Sequence, residues 1–494
     1  MKNFFTKAIR KILTDFKLHD HFFVAVAQKW AKKLAYAFWR DKYHVFVEVF
    51  LLVFIVSYFF IEKPFKAKKP KELSEQEKEK LIEEWVPEPL IKKSPRFDDI
   101  VPPLFLESAV STVVTIEEKK YSNFASPDFL NIANRPELKE TACRIVRKYA
   151  VGSCGPRGFY GSTDVHLSLE KKISALYGSK NCVIYSDTIG CVSSVIAAFS
   201  KKRDIILCDS ACNFFIKHGV KISHSESFFY EHNNMQSLEK LMIAVKKQDE
   251  TTKRPLTRRF IVAEGVFRDR ADILDLRKLL ELKRKYHYRL ILDDSFAVGV
   301  LGLRGSLDYL KIPLSEIEIY CSSLNFAFGS VCSFCVGDED VSNYQRLGSA
   351  GYCFSASAPP FTAGASSTAI DIVTIEQWRI NKLNQITKYF WSKINSLKSN
   401  LELHKFEILG EHPVPFCHLR QKNGGKEENE NFLMLAKIVK SLRNFGILVE
   451  FSRPNCIDGY PSKRGSIRIN VNCEHSVEQI DFLANSIKKI LNTF

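Results

Sequence analysis

From about Tyr121 into the 370s, short apolar runs alternate with amphipathic helical patterns, and few folds accommodate that rhythm. Cys182–Tyr185, Asp204–Cys208, Arg259–Ala263 and Arg289–Leu292 read as strands, and Val165–Tyr177 and Leu274–Lys285 as helices. Strands that alternate with helices imply a mostly parallel sheet covered on both faces. After about Asn381 the rhythm changes. A long helix over 384–397 leads to shorter patterns at Phe416–Leu419, Leu433–Phe445 and Ser466–Asn470, as in a small α+β lobe. With 494 residues the chain can bury a two-lobed core and still carry an appendage. No internal repeat is visible. The expected division is a large domain over 101–380 and a small C-terminal domain over 381–494.

The appendage lies at the N-terminus. Ten Lys or Arg and only three acids precede Tyr43, and a second basic run, Lys63-Pro-Phe-Lys66-Ala-Lys68-Lys69, follows soon after. Between them stands VFVEVFLLVFIVSYFFI, Val45 to Ile61. Basic runs beside an apolar segment point to a membrane surface rather than to nucleic acid, for which there is no zinc-finger or RNP-like spacing. A basic amphipathic segment over 1–44, a transmembrane helix over 45–62 and a charged stalk over 63–100 are expected. As a helix the apolar run reaches about 26 Å, slightly less than a typical hydrocarbon core of ~30 Å. Both flanks are basic, so charge does not orient it. The thirteen cysteines are scattered. Cys332-x-x-Cys335 has no second pair to complete a zinc site, so core thiols in a reducing compartment are expected.

Asp293 closes the run Leu290-Ile-Leu292, at the end of a predicted strand where ligands of α/β sheets collect. Alone, such an Asp is a turn former or helix cap. Gly152 to Glu170 reads GSCGPRGFYGSTDVHLSLE, a Gly-rich turn running into a helix. His166 and Glu170 lie on one face of that helix, where they can bond to each other as a structural pair. No lysine occurs between Lys311 and Lys382.

These segments resemble the α-oxoamine synthases, pyridoxal-phosphate (PLP) enzymes that join an amino acid to an acyl-CoA. Leu292-Asp-Asp-Ser-Phe-Ala-Val-Gly299 is similar to that family's Asp-Glu-Ala-His-Ser-x-Gly, with Asp293 at the residue that pairs with the pyridine nitrogen and Phe296 at its His. Asn213, in Asp209-Ser-Ala-Cys-Asn213, stands where a His stacks on the cofactor. Thr188-Ile-Gly-Cys-Val192 replaces the Gly-aromatic-x-Ala-Asn turn. Leu324-Asn-Phe-Ala-Phe-Gly-Ser330 resembles the Schiff-base segment, and alignment on Phe328-Gly329-Ser330 puts Phe326 at the lysine. A phenylalanine has no amine and forms no aldimine. The resemblance narrows through Glu83-Glu-Trp-Val-Pro-Glu-Pro-Leu90, Thr257-Arg-Arg-Phe-Ile-Val-Ala-Glu264 and Gly351-Tyr-Cys-Phe-Ser-Ala-Ser-Ala-Pro-Pro360 to the first long-chain-base subunits of eukaryotic serine palmitoyltransferases.

That resemblance implies a fold-type-I, aminotransferase-like chain that is required but not catalytic. PLP would be bound mainly by a catalytic long-chain-base subunit 2, and covalently by no residue of this chain. Asp293 would be vestigial, and Ser355 and Ser357 would reach the PLP phosphate on the partner. Cys154, Arg157 and Tyr160, of the turn Cys154-Gly-Pro156-Arg157-Gly-Phe-Tyr160, would line the interface with Tyr185. Ordinary capping or turn bonding is the alternative for the two serines. Arg468 matches the arginine that binds the substrate carboxylate in active members, and here it is a relic or structural. A small activating subunit, Orm-type regulators and an endoplasmic-reticulum membrane with the body facing the cytosol are also implied. The competing readings are an autonomous PLP-dependent acyltransferase and a purely structural membrane scaffold.

Overall fold

The computed structural model describes residues 29, 33, 42–61, 73–88, 101–252, 255, 257–401, 406–422, 428–452 and 465–493. It divides into Met1–Lys92 and Lys93–Phe494.

In the first unit, Lys42–Ile61 forms one 20-residue helix. Phe46, Phe50, Leu51, Leu52, Val53 and Phe54 are exposed on it. Among the described residues no helix is long and apolar enough to cross a membrane. The expected transmembrane span over 45–62 is therefore corrected to an apolar helix with exposed side chains. Its apolar portion is interrupted by Glu48 and begins only after Lys42-Tyr-His44, which leaves it short of a bilayer core. A second helix, Glu75–Glu84, starts at a capping box: Ser74 N–H donates to Glu77 at 2.9 Å and Glu77 N–H returns to Ser74 Oγ at 3.3 Å. The amphipathic segment expected over 1–44 lies outside the described residues apart from 29, 33 and 42–44, and the stalk apart from 73–88.

The second unit holds two mixed sheets. Its strands are β1 (Val113–Ile116), β2 (Lys119–Phe124), β3 (Asn181–Tyr185), β4 (Ile205–Asp209), β5 (Glu226–Tyr230), β6 (Arg259–Glu264) and β7 (Arg289–Asp293). They continue with β8 (Ile319–Ser323), β9 (Ser333–Gly337), β10 (Phe406–Leu409), β11 (Phe416–Gln421), β12 (Ile447–Ser452) and β13 (Ser466–Asn470). The larger sheet runs β3-β9-β8-β7-β6-β4-β5. Its β8-β7-β6-β4-β5 part is parallel, while β9 pairs antiparallel with both β8 and β3. Strands buried on both faces read as continuous apolar runs, as in Phe260-Ile-Val-Ala263 and Leu290-Ile-Leu292, all at most 1% exposed. The smaller sheet runs β1-β2-β12-β13-β11-β10, so a strand near residue 120 joins C-terminal strands through a parallel pairing of β2 with β12. Phe390, Trp391, Leu442, Ile467 and Leu483 form the core beneath it. Cys332 and Cys335 are buried beside and within β9.

Candidate functional site

The C-terminal ends of β4, β6, β7 and β8 bring Asp209, Glu264, Asp293 and Ser323 to one edge of the larger sheet. Register makes Glu264 and Asp293 direct neighbours across β6 and β7. Both carboxyls are buried. Asp293 accepts from Ser295 Oγ at 2.6 Å and Ser295 N–H at 3.1 Å, and Asn213 Nδ2 lies 3.4 Å from its other oxygen. Glu264 accepts from Asn213 N–H at 2.6 Å and Arg268 N–H at 2.9 Å. Burial raises both pKa values, that of Glu264 well above the usual carboxylate range, with the charge of Asp293 adding to it. Asn213 also caps helix Phe214–Ile222, its Oδ1 accepting from Phe215 and Ile216 N–H. A side chain engaged in a cap and beside Asp293 is not disposed as a ring face for a cofactor.

Phe326 is packed among aromatic rings. Phe326 stacks on Phe296 with centroids 4.0 Å apart and planes inclined by 21°. Phe416, from β11 of the smaller sheet, meets Phe296 at 5.5 Å, and Phe129 lies 6.0 Å from Phe416. The Arg468 guanidinium sits 5.7 Å from the Phe296 ring centre and 5.9 Å from that of Phe416. Its charge is matched by Glu450, to which Nη2 donates, while its buried Nε has no hydrogen-bond partner among the described residues. Burial lowers its pKa, with Glu450 opposing. His418 beside it on β11 is held neutral, pushed down to about 3 by burial and by Arg468. Thr188, expected in the replaced cofactor turn, bonds Ser323 Oγ at 2.7 Å and accepts from Ser333 Oγ at 3.1 Å.

The residues present do not fit a covalently held PLP. There is no amine at position 326, whose ring is instead stacked on Phe296 with centroids 4.0 Å apart. No reaction step is derived through that cofactor on this chain.

The Gly-rich turn forms a second cluster. Arg157 is buried and pairs in bidentate fashion with Glu170 at 3.0 and 3.2 Å, and donates to Ser162 Oγ at 2.8 Å. His166 accepts from Thr163 N–H at 3.1 Å on Nδ1, so Nε2 carries the proton given to the Ala358 carbonyl at 2.7 Å. His166 and Glu170 therefore share a helical face without bonding each other, because each reaches a partner from another segment. Ser357 is buried: its N–H donates to the Gly155 carbonyl at 3.0 Å, and its Oγ to that of Gly161 at 2.6 Å, with Ser153 Oγ 2.5 Å away. The turn closes so tightly at Gly161 that an added Cβ would lie 2.1 Å from the Gly155 carbonyl. Ser355 is half-buried, its Oγ 3.4 Å from the Ala356 carbonyl. Tyr185 is buried and donates to Gln345 Oε1 at 2.8 Å, with Ser349 Oγ 2.9 Å from its hydroxyl. Cys154 is exposed at φ 54°, and Val151, Phe159, Tyr160, Leu347 and Phe354 are exposed apolar side chains on the same segments or the helix that carries Gln345.

Three features escape the sequence reading. Glu264 ends an apolar strand as Asp293 does, and the same signal could have found it. Phe416 and Glu450 carry no local signal. His232 bridges Asp209 Oδ1 at 3.0 Å and Asp272 Oδ2 at 2.8 Å; burial lowers its pKa, but the two carboxylates prevail and raise it to about 9.

A seven-stranded mixed sheet, a smaller C-terminal sheet and a carboxylate at the central strand ends define the class: the chain belongs to the aminotransferase class I and II family, which it matches over residues 119–487. More particularly, it is similar to "Long chain base biosynthesis protein 1" of Arabidopsis thaliana, 34% identical over 455 residues that make up 90% of this chain and 91% of that protein. It is likewise 34% identical to "Serine palmitoyltransferase 1" of Dictyostelium discoideum over 453 residues, 90% of this chain and 93% of that one. Among solved structures, a serine palmitoyltransferase from S. paucimobilis with a bound PLP–myriocin aldimine superposes with a TM-score of 0.67 at 18% identity, covering 79% of this chain and 94% of that one. At that identity the likeness is one of fold.

Proposed function

We propose that this chain is the required, non-catalytic subunit of a serine palmitoyltransferase, the enzyme that condenses L-serine with palmitoyl-CoA to 3-ketosphinganine with loss of CO₂. The observation that carries the reading is the stack of Phe326 on Phe296: packed rings at the position the family alignment gives to the Schiff-base lysine support a chain that holds no cofactor covalently. PLP is then held by a catalytic subunit 2, which this chain stabilises and whose site it completes. Exposed Val151, Phe159, Tyr160 and Phe354 around the Gly-rich turn suit burial against that partner. Of the two serines, Ser355 is the better placed to reach a phosphate on the partner, because Ser357 Oγ is committed to Gly161 and Ser153. Cys154 and Tyr160 line the interface. Buried Arg157 and Tyr185 support it from behind, and Arg468 is structural.

Helix Lys42–Ile61 is mostly apolar, and its exposed Phe46, Phe50, Leu52 and Phe54 suit lipid in the absence of covering protein. With its basic flanks it attaches the chain to the endoplasmic-reticulum membrane, the body facing cytosolic acyl-CoA. A small activating subunit and Orm-type regulators would act there.

The test is borohydride trapping after PLP addition, read by mass spectrometry, on this chain alone and on the co-purified pair. A pyridoxyl-lysine found only on the partner supports the proposal. A specific pyridoxyl-lysine on this chain alone sinks it in favour of an autonomous acyltransferase. Full turnover by the partner without this chain would leave only a scaffold.

A further inference from the structure

The parallel strands put one end of each preceding loop at the same sheet edge, opposite the candidate site and about 17 Å from it for five-residue strands. The segments leading into β4, β5, β6 and β7 all carry exposed basic residues at or near this edge. Lys202 and Arg203 precede β4, Lys221 precedes β5, Lys246 and Lys247 lie in the helix leading to β6, and Arg289 opens β7. All six are exposed. Because β7, β6, β4 and β5 are consecutive neighbours, these charges form a band across four strands.

Lysines and arginines at helix C-termini commonly balance the helix dipole, and Lys221 has that explanation. It does not cover Lys202, Arg203 or Arg289, which lie outside helices. Four acids near this edge pair with other cations, while exposed Glu250 stands beside Lys246 and Lys247 on their helix. Asp204 pairs with Arg258 at 3.1 Å, Asp249 with Arg259, Glu318 with Lys283 at 2.7 Å and Glu316 with Arg284 at 3.3 Å. Among the described residues none of the six has an ion-pair partner.

We propose that this edge is a docking surface for the anionic headgroups of a lipid bilayer. An exposed band of cations without ion-pair partners among the described residues suits a laterally extended sheet of phosphates and carboxylates. The chain carries the same chemistry a second time in Lys63, Lys66, Lys68 and Lys69, directly after its apolar helix. Juxtamembrane and surface cations of this kind are drawn to anionic leaflets over a Debye length. The inference rests on the membrane attachment proposed above, and the test separates the two.

The full chain, with its co-purified partner, is reconstituted into nanodiscs of phosphatidylcholine alone or with phosphatidylserine, and lysine acylation is followed residue by residue by mass spectrometry. Acylation of Lys202, Lys221, Lys246 and Lys247 should slow roughly fivefold in phosphatidylserine discs, and the protection should disappear at about 0.5 M NaCl. Exposed Lys139, on helix Pro136–Tyr149 away from this edge, should react equally in both discs. Equal reactivity of the edge lysines in the two discs overturns the docking surface. Protection in both discs, insensitive to lipid charge, also overturns it and points to an acidic protein partner. Failure of the chain to enter discs at all refutes both this inference and the membrane attachment. Incorporation without protection refutes this one alone. The variant Lys202→Glu/Lys246→Glu/Arg289→Glu should enter discs normally and lose protection at Lys221 and Lys247.

Discussion

If packed rings stand in for the cofactor lysine, removing one should cost what a core ring costs and PLP should not repair it. Phe326 is 9% exposed, stacked at 4.0 Å on Phe296, and continuous through Phe296 with Phe416 and Arg468. A buried Phe→Ala change costs about 3–5 kcal/mol, which includes the ~0.5–1.5 kcal/mol of ring stacking. The tenth of the ring that solvent reaches favours the lower end, so Phe326→Ala should destabilise the folded body by about 3 kcal/mol, roughly a 150-fold change in its folding equilibrium. The backbone contribution is unaffected, because the Phe326 carbonyl still accepts from Phe129 N–H at 3.0 Å. Urea unfolding followed by circular dichroism measures the loss. Phe326→Leu, which keeps most of the volume, should lose only about 1 kcal/mol. PLP added to wild type or either variant should leave the midpoint unchanged, since no residue binds it covalently. A loss below about 1 kcal/mol for Phe326→Ala would show that the ring is not packed. A saturable rise of the wild-type midpoint with PLP would show that this edge still holds the cofactor, and either result refutes the argument.

Phe326→Lys on its own should yield no trapped pyridoxyl-lysine, because Phe296 still covers the site and Asn213 supplies no ring; recovery of the adduct by mass spectrometry would contradict this. Arg157→Ala leaves the buried Glu170 carboxylate with only the Ile184 N–H at 3.2 Å and Arg346 at 3.9 Å and should cost about 3 kcal/mol, whereas the apolar pair Arg157→Met/Glu170→Leu should cost much less; thermal melts of the three proteins decide. His232, with its folded pKa raised from 6.5 to about 9, contributes stability that is complete below pH ~6.5 and lost as pH rises through about 9, some ~3 kcal/mol across that window; His232→Gln should flatten the pH dependence of the unfolding midpoint there. Ser355→Ala should weaken PLP retention by the co-purified pair without changing the melt of this chain, while Ser357→Ala should lower the melt by about 1–2 kcal/mol through loss of its bonds to Gly161 and Ser153.

The parallel core was readable because it is written locally. Fully buried strands need uninterrupted apolar residues, and Arg259–Ala263 and Arg289–Leu292 differ from the observed β6 and β7 only by the terminal acid. Asp293 is marked by the motif that follows it, whereas Glu264 at the same place on β6 has no such motif. β8 and β9 were not singled out as strands. Their antiparallel pairing inserts β9 between β8 and β3, where no crossover helix announces it.

The amino-acid sequence by itself determined that no lysine can serve at position 326 and that an acid closes β7, because the identity of a reacting group is a property of one residue. It determined the alternation that builds the larger sheet for the same reason, since periodicity acts over a few neighbours. Only the tertiary structure decided what fills the place of the missing amine. Phe416 arrives from β11 and Arg468 from β13, and Glu450 on β12 pairs with the Arg468 guanidinium. His166 and Glu170 show the same division on a smaller scale. Helical spacing set which face they share, but Arg157 and Ala358, brought in by the turn and by a segment some 190 residues away, set what they bond. Reach is local, whereas the choice of partner belongs to whichever segments the packed core brings within hydrogen-bonding distance.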